Sequence, residues 1–364
     1  MGTGSAYADD EALLGVMHEV LSGRMAVARN DLQALPATSR TARLSIELSD
    51  MARGGYATEG NRAFTELAPL WAQARSRFVA ARPVADNQLP DVVLALPDRV
   101  EQLMVADTSR SIAWLLASEG DQVRVVDAFY FSVGTLGVDK QRRGDRRTPL
   151  GAFFVSGALD TSRLPSRYGS HALPLDYPNA LDRYFGRTGD GIWLHGMDPT
   201  NNVRPPRDTD GCLAFANDRV AVLAGALSAW QAPVLVLDQV RWRPVQMRSP
   251  LVSVFTKAVA DWNDTWIHGV AESHLRHYAS DFSRDGMTHQ EWRTFRETAL
   301  QAGTIEDGGV AQMTVLLVDA KHGIYLTRFA HRLVAVSGET VEKMHRLYWQ
   351  HIDGAWRIVA EQSG

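Results

Sequence analysis

Leu13, Leu14, Met17 and Leu21 fall at i, i+1, i+4 and i+8, and Ala28, Leu32 and Leu35 carry a second apolar stripe beyond Gly23. That is the spacing of amphipathic helices. Gly23 and Pro36 punctuate a helix pair, and Thr41–Met51 and Ala63–Ala81 predict further helices, so residues 1–85 read as a helical region. Arg-Pro, Asn-Gln and Leu-Pro between Arg82 and Pro90 have linker composition. Short apolar runs follow at Val92–Leu96, Glu101–Ala106, Ser111–Leu116 and Val123–Val133, separated by polar turns. Short strands at such spacing predict a mostly β domain. Pro233–Asp238 and Pro244 close it, giving residues 91–246 with helices only near Asn217–Trp230. From Ser249 the helical period returns in Val252–Ile267, with Trp262 and Trp266 at i, i+4, then in Glu272–Phe282 and around Trp292. Strands are predicted at Gln312–Val318, Ile324–Val334, Glu342–Ile352 and Trp356–Glu361, so residues 249–364 form a third unit with its own aromatic core, separable from the second. The fold class is multidomain α+β.

Composition narrows the function. A net charge of −4 over 364 residues gives no electrostatic case for nucleic acid as a partner. No run of about twenty apolar residues exists to span a membrane. The start MGTGSAYADD lacks a signal-peptide pattern and reads as an added start on a mature chain.

Cys212 is the only cysteine, so no internal disulfide is possible. A free cysteine is often just a small buried hydrophobe. Three local features point to chemistry instead. Thr209-Asp210-Gly211 is a polar turn with a glycine directly before the thiol, placing backbone N–H groups where an oxyanion would form. Gly191–Gly196 reads as an apolar strand delivering His195, 17 positions upstream, as the base for the thiol. The intervening loop, Met197–Asp208, is rich in Pro, Asn, Asp and Arg, and its Arg204 and Arg207 suit carboxylates bidentately. Lys140, Arg142, Arg143, Arg146 and Arg147 form a basic turn that reads as a solvated face. His268, His274 and His277 cluster without the spacing of a zinc motif, so neither a metal site nor a cofactor is expected.

His195-Gly196, a polar loop and then Thr209-Asp210-Gly211-Cys212-Leu213, preceded by Gly144-Asp145-Arg146-Arg147-Thr148-Pro149-Leu150-Gly151, resemble the signature of the L,D-transpeptidase (YkuD-type) catalytic domain. Asp210 stands where most members carry a second histidine, which is similar to the YafK-like branch. The helix pair 11–35 resembles a tetratricopeptide-like unit. Three helices followed by strands ending Leu347–Gln350 and Gly354–Ile358 resemble the cone of the nuclear-transport-factor-like superfamily. The resemblance implies a periplasmic, exported cysteine acyltransferase acting on diaminopimelate-containing peptidoglycan stem peptides. Cys212 is then the nucleophile, His195 the base and Gly211 part of the oxyanion hole, with Asp210 either orienting His195 or capping its own turn. Gly196, Arg204, Arg207, Thr209 and Tyr177 would contact substrate, Tyr177 as pocket wall. Hydrolysis of the same bonds, as carboxypeptidase or as an amidase releasing a wall-attached protein, stays open, as does a non-catalytic wall-binding scaffold.

Overall fold

In the computed structural model the described residues are 4–38, 41–42, 44–45, 48, 62–80, 85–97, 99–119, 122–199, 204–247, 249–268, 270–284, 287–301 and 305–363. Most of the expected helix at 41–51, residues 81–84 of the linker and residues 200–203 of the arginine-bearing loop lie outside them.

The helices Gly4–Leu21 and Met25–Ala34 turn about Gly23, whose φ of 78° favours glycine. With Arg62–Ala80 they bury Leu13, Met17, Leu32, Leu70 and Trp71. The third helix also touches the strands Ile112–Glu119 and Gln122–Gly134, which fastens the helical region to the β domain.

That domain is a nine-stranded mixed sheet. Its path runs Gly151–Phe154, Pro233–Leu237, Arg99–Asp107, Ile112–Glu119, Gln122–Gly134, Leu213–Phe215, Trp193–His195, Ala172–Pro174, with Arg207–Thr209 pairing beside Gln122–Gly134. Met104, Phe129, Phe131, Phe153, Leu194, Phe215 and Leu223 fill one side of it. Besides the expected helix, observed at Asn217–Ala226, a short helix occupies Ala180–Tyr184. Its apolar period is too brief to read, and the signal that marks it is a capping box between Asn179 and Asp182.

In the C-terminal part the helices are Leu251–Ile267, Ala271–Leu275 and His289–Gln301. The expected helix Glu272–Phe282 breaks after one turn, because Tyr278–Ser283 leaves it to pair in parallel with Ala355–Ser363. The remaining strands, Ile305–Asp319, Ile324–Ala335 and Thr340–Ile352, form a continuous antiparallel sheet with Ala355–Ser363. Its last strand is Val93–Ala95, contributed from inside the β-domain sequence.

This sixth strand reflects a shared core. Leu103, Val105, Trp114, Phe154, Leu181 and Leu235 pack in one buried cluster with Leu316, Ile324, Leu326, Tyr348 and Val359. A buried ion pair, Arg346 to Asp176, and a hydrogen bond from Tyr184 to Asp281 at 2.7 Å also cross the boundary. The shared core argues against the expected separability of the C-terminal unit, because each side covers apolar surface of the other.

Candidate active site

The strand Trp193–His195 runs parallel to Leu213–Phe215, with Leu194 opposite Leu213 and His195 opposite Ala214. Side chains alternate faces along strands, so this register puts His195 on the same face as Cys212. The sheet therefore joins two residues that the sequence separates by 17 positions.

His195 is 3% exposed, and its Nδ1 lies 2.6 Å from the Gly196 carbonyl. A carbonyl only accepts, so Nδ1 carries the proton and Nε2 is left as a base. The Tyr168 ring stands edge-on to the imidazole at 5.1 Å and contacts Trp193 at 4.9 Å, while Arg167 lies 5.0 Å over the Tyr168 ring. Burial pushes His195 down to about 4, and the charges of Arg204 and Arg167 act in the same direction.

Cys212 is partly exposed, and its Sγ donates to the Gly191 carbonyl at 3.2 Å. Burial pushes the thiol up to about 11. The backbone N–H of Trp193 and the charges of Arg167 and Lys140 oppose that rise, and the Asp210 carboxylate adds to it. Burial thus favours the neutral form of both the thiol and the imidazole.

The turn before the thiol is tightly specified. Thr209 is buried, and its Oγ1 accepts from the Gly211 N–H at 3.1 Å and donates to the Cys212 carbonyl at 2.7 Å. Gly211 has φ 128°, and a Cβ there would lie 2.7 Å from the Arg147 carbonyl oxygen. Glycine is thus required by both conformation and close approach. The Lys140–Thr148 loop that presents this carbonyl is held by Asp145, which pairs with Lys140 at 2.7 Å and accepts from the N–H groups of Gln141 and Arg142. Burial alone would raise Asp145, but these bonds outweigh it and hold the carboxyl at about 2.

Several expectations change here. The Gly211 N–H is spent on Thr209, so Gly211 shapes the turn and supplies no oxyanion donor. Thr209 builds the same turn and is buried within it. Asp210 is exposed while the Gly196 carbonyl holds the imidazole, so it is not the group that orients His195. Tyr177 is 5% exposed, packs on Phe153 at 6.0 Å and donates to the Thr188 carbonyl at 3.3 Å; it belongs to the core and not to a pocket wall. Gly196 makes room for the Asn217 amide, whose Oδ1 would lie 2.2 Å from a Cβ there and accepts from Ser170 and Met197. Lys140 is buried, unlike its exposed neighbours Arg142, Arg143, Arg146 and Arg147. Arg204 pairs with Asp208 at 3.5 Å, close enough to act on His195, and Arg207 lies exposed over Gly137. Arg167, Tyr168 and Trp193 were not singled out in the sequence. A Ser-Arg-Tyr-Gly stretch carries no spacing signal, and only the fold brings it to the imidazole.

Among the described residues no cluster of His, Cys, Asp and Glu has the arrangement of a metal site. No helix among them is long and apolar enough to cross a membrane.

Residues 101–236 match the model of the YkuD L,D-transpeptidase catalytic domain, and residues 254–362 that of the Cds6 C-terminal NTF2-like domain. No curated protein matches the chain. Among solved structures, Bd1075 of Bdellovibrio bacteriovorus is 20% identical with a TM-score of 0.59, over 76% of this chain and 98% of that one. The helical cell shape determining protein Pgp2 of Campylobacter jejuni is 21% identical with a TM-score of 0.59, over 75% and 95%. At this identity the likeness shows a shared fold. Strand order, the Cys212 turn and the two matches lead to one conclusion: the chain carries an L,D-transpeptidase-family (YkuD) catalytic domain, of the peptidoglycan-modifying kind, followed by an NTF2-like domain.

Proposed function

We propose that the protein is an exported, periplasmic cysteine acyltransferase that works on diaminopimelate-containing stem peptides of peptidoglycan through a thioacyl-enzyme on Cys212. The observation that carries this reading is the parallel register placing His195 and Cys212 on one face, with His195 Nδ1 tied to a carbonyl. Nε2 takes the thiol proton as sulfur attacks the amide carbonyl next to the L-centre of diaminopimelate. The carbon–nitrogen bond breaks, and the leaving amine receives the proton from His195. The Cys212 N–H is the donor assigned to the oxyanion, since that of Gly211 is occupied; one such donor is worth a factor of about 10² to 10³. Arg167 and Arg204, whose charges reach His195, supply the cationic side of the site for a stem carboxylate.

An amine that resolves the thioester gives a cross-link, and water gives hydrolysis. Likeness to a helical cell shape determining protein supports a role in cell shape under either outcome. Digestion of purified muropeptides with product analysis tests the assignment: cross-linked products are expected from the wild-type chain. Cys212→Ala should abolish turnover with melting unchanged, because one small thiol contributes little core volume. Near-wild-type turnover in that variant overturns the thioacyl mechanism.

A further inference from the structure

Between the catalytic sheet and the NTF2-like sheet lies a cavity of about 460 Å³, separate from the residues around Cys212. Arg328 lines it from the strand Ile324–Ala335. It is only 6% exposed, and its sole hydrogen bond goes from Nη2 to the Trp230 carbonyl at 2.8 Å, leaving Nε buried without a partner. Its cross-strand neighbour Arg346 is also buried but is neutralised by Asp176. Among the described residues no carboxylate pairs with Arg328. Burial and the Arg346 charge push Arg328 down to about 10, still charged at neutral pH.

A buried charge is normally paired, since desolvation without a counter-charge is strongly unfavourable. Water can satisfy an N–H but brings no charge. From the opposite wall, Gln102 presents a buried Oε1 that also has no partner. The cavity thus offers a cationic donor that no carboxylate bonds, lying 5.2 Å over the Phe154 ring, and an unpaired acceptor, with Glu342 in the same lining beside apolar Pro97, Ala232 and Met344. A ligand complementary to both carries an oxyanion and an adjacent N–H, as the last residue of a peptide does. We propose that this interdomain cavity is a binding site for the C-terminal end of a short peptide, its carboxylate on Arg328 and its last amide N–H on Gln102. The site rests on no step at Cys212, so it stands or falls apart from the acyl-transfer reading.

Calorimetric titration of the full chain tests it, with three probes: N-acetyl-alanyl-alanine, the same dipeptide as its C-terminal amide, and inorganic phosphate. Saturable binding of the free acid is expected, with little or none of the amide. Arg328→Gln should weaken it about tenfold or more, and Gln102→Leu about threefold. No saturable binding, equal binding of the amide, or undiminished binding by a folded Arg328→Gln chain overturns the site. Tighter binding of phosphate than of the dipeptide overturns the peptide assignment. Should Arg328→Gln fail to fold, undiminished binding by Gln102→Leu overturns the proposal by itself.

Discussion

Cys212 and His195 titrate far from their ordinary ranges because both are desolvated, one upward to about 11 and the other downward to about 4. Both shifts favour the neutral form, so the thiolate is scarce until a bound substrate or the base draws the proton off. Iodoacetamide labelling of Cys212 should therefore be slow at pH 7 and climb towards pH 11, about tenfold per unit. A rate already level at pH 8 would mean a preformed ion pair. Asp210 enters this balance as a carboxylate that raises the thiol, not as a partner of the imidazole. Asp210→Asn is expected to speed alkylation at pH 8 by about two- to fivefold and to leave the acylation rate within about threefold. A loss of an order of magnitude or more in acylation would restore Asp210 as a catalytic residue.

At the scale of elements, the site is a junction of three pieces: two short parallel strands, the Thr209–Cys212 turn and the Lys140–Thr148 loop. The loop carbonyl of Arg147 fits only against a glycine at 211. Gly211→Ala combines a left-handed φ with a 2.7 Å clash against backbone, which no rotamer relieves. Turnover is expected to fall about 100-fold or more, with a stability loss of about 1–3 kcal/mol. Wild-type kinetics in a crystal-verified Gly211→Ala chain would show that the turn relaxes without moving the thiol. The strands and long helices were legible because their apolar period is unbroken, as in Val123–Val133, Val252–Ile267 and Ile324–Val334. The segment Tyr278–Ser283 was not, since its apolar residues fit a helix locally and only pairing with Ala355–Ser363 makes it a strand.

For the whole molecule, the consequence of the shared core is that the domains are coupled. Residues from both sides of the boundary bury each other in one cluster, and Val93–Ala95 completes the C-terminal sheet. Removing residues 249–364 would expose Trp114, Phe154, Leu103 and Leu235 to water, at roughly 1.5–3 kcal/mol per large side chain uncovered. The truncated chain is expected to aggregate or to lose cooperative melting. A soluble fragment with a sharp transition near that of the full chain would show that the interface is dispensable. The same interface encloses the Arg328 cavity, so a ligand there would report on both domains at once.

The sequence alone marked what depends on local period and residue chemistry: three units in order, Cys212 and His195 as the candidate nucleophile and base, and a glycine directly before the thiol. Long-range pairing decided the rest. Nothing in Thr209-Asp210-Gly211 says that the Gly211 N–H is consumed by Thr209, or that a carbonyl and not Asp210 holds the imidazole. Tyr177 looks like a pocket aromatic until its ring is found against Phe153, and Lys140 looks solvated until Asp145 is found beside it. Arg167, Arg328 and the strand Val93–Ala95 acquire their roles from neighbours tens to hundreds of positions away. Burial and hydrogen-bond partnership are properties of assembled surfaces, and a linear pattern fixes which face a residue turns but not what it meets there.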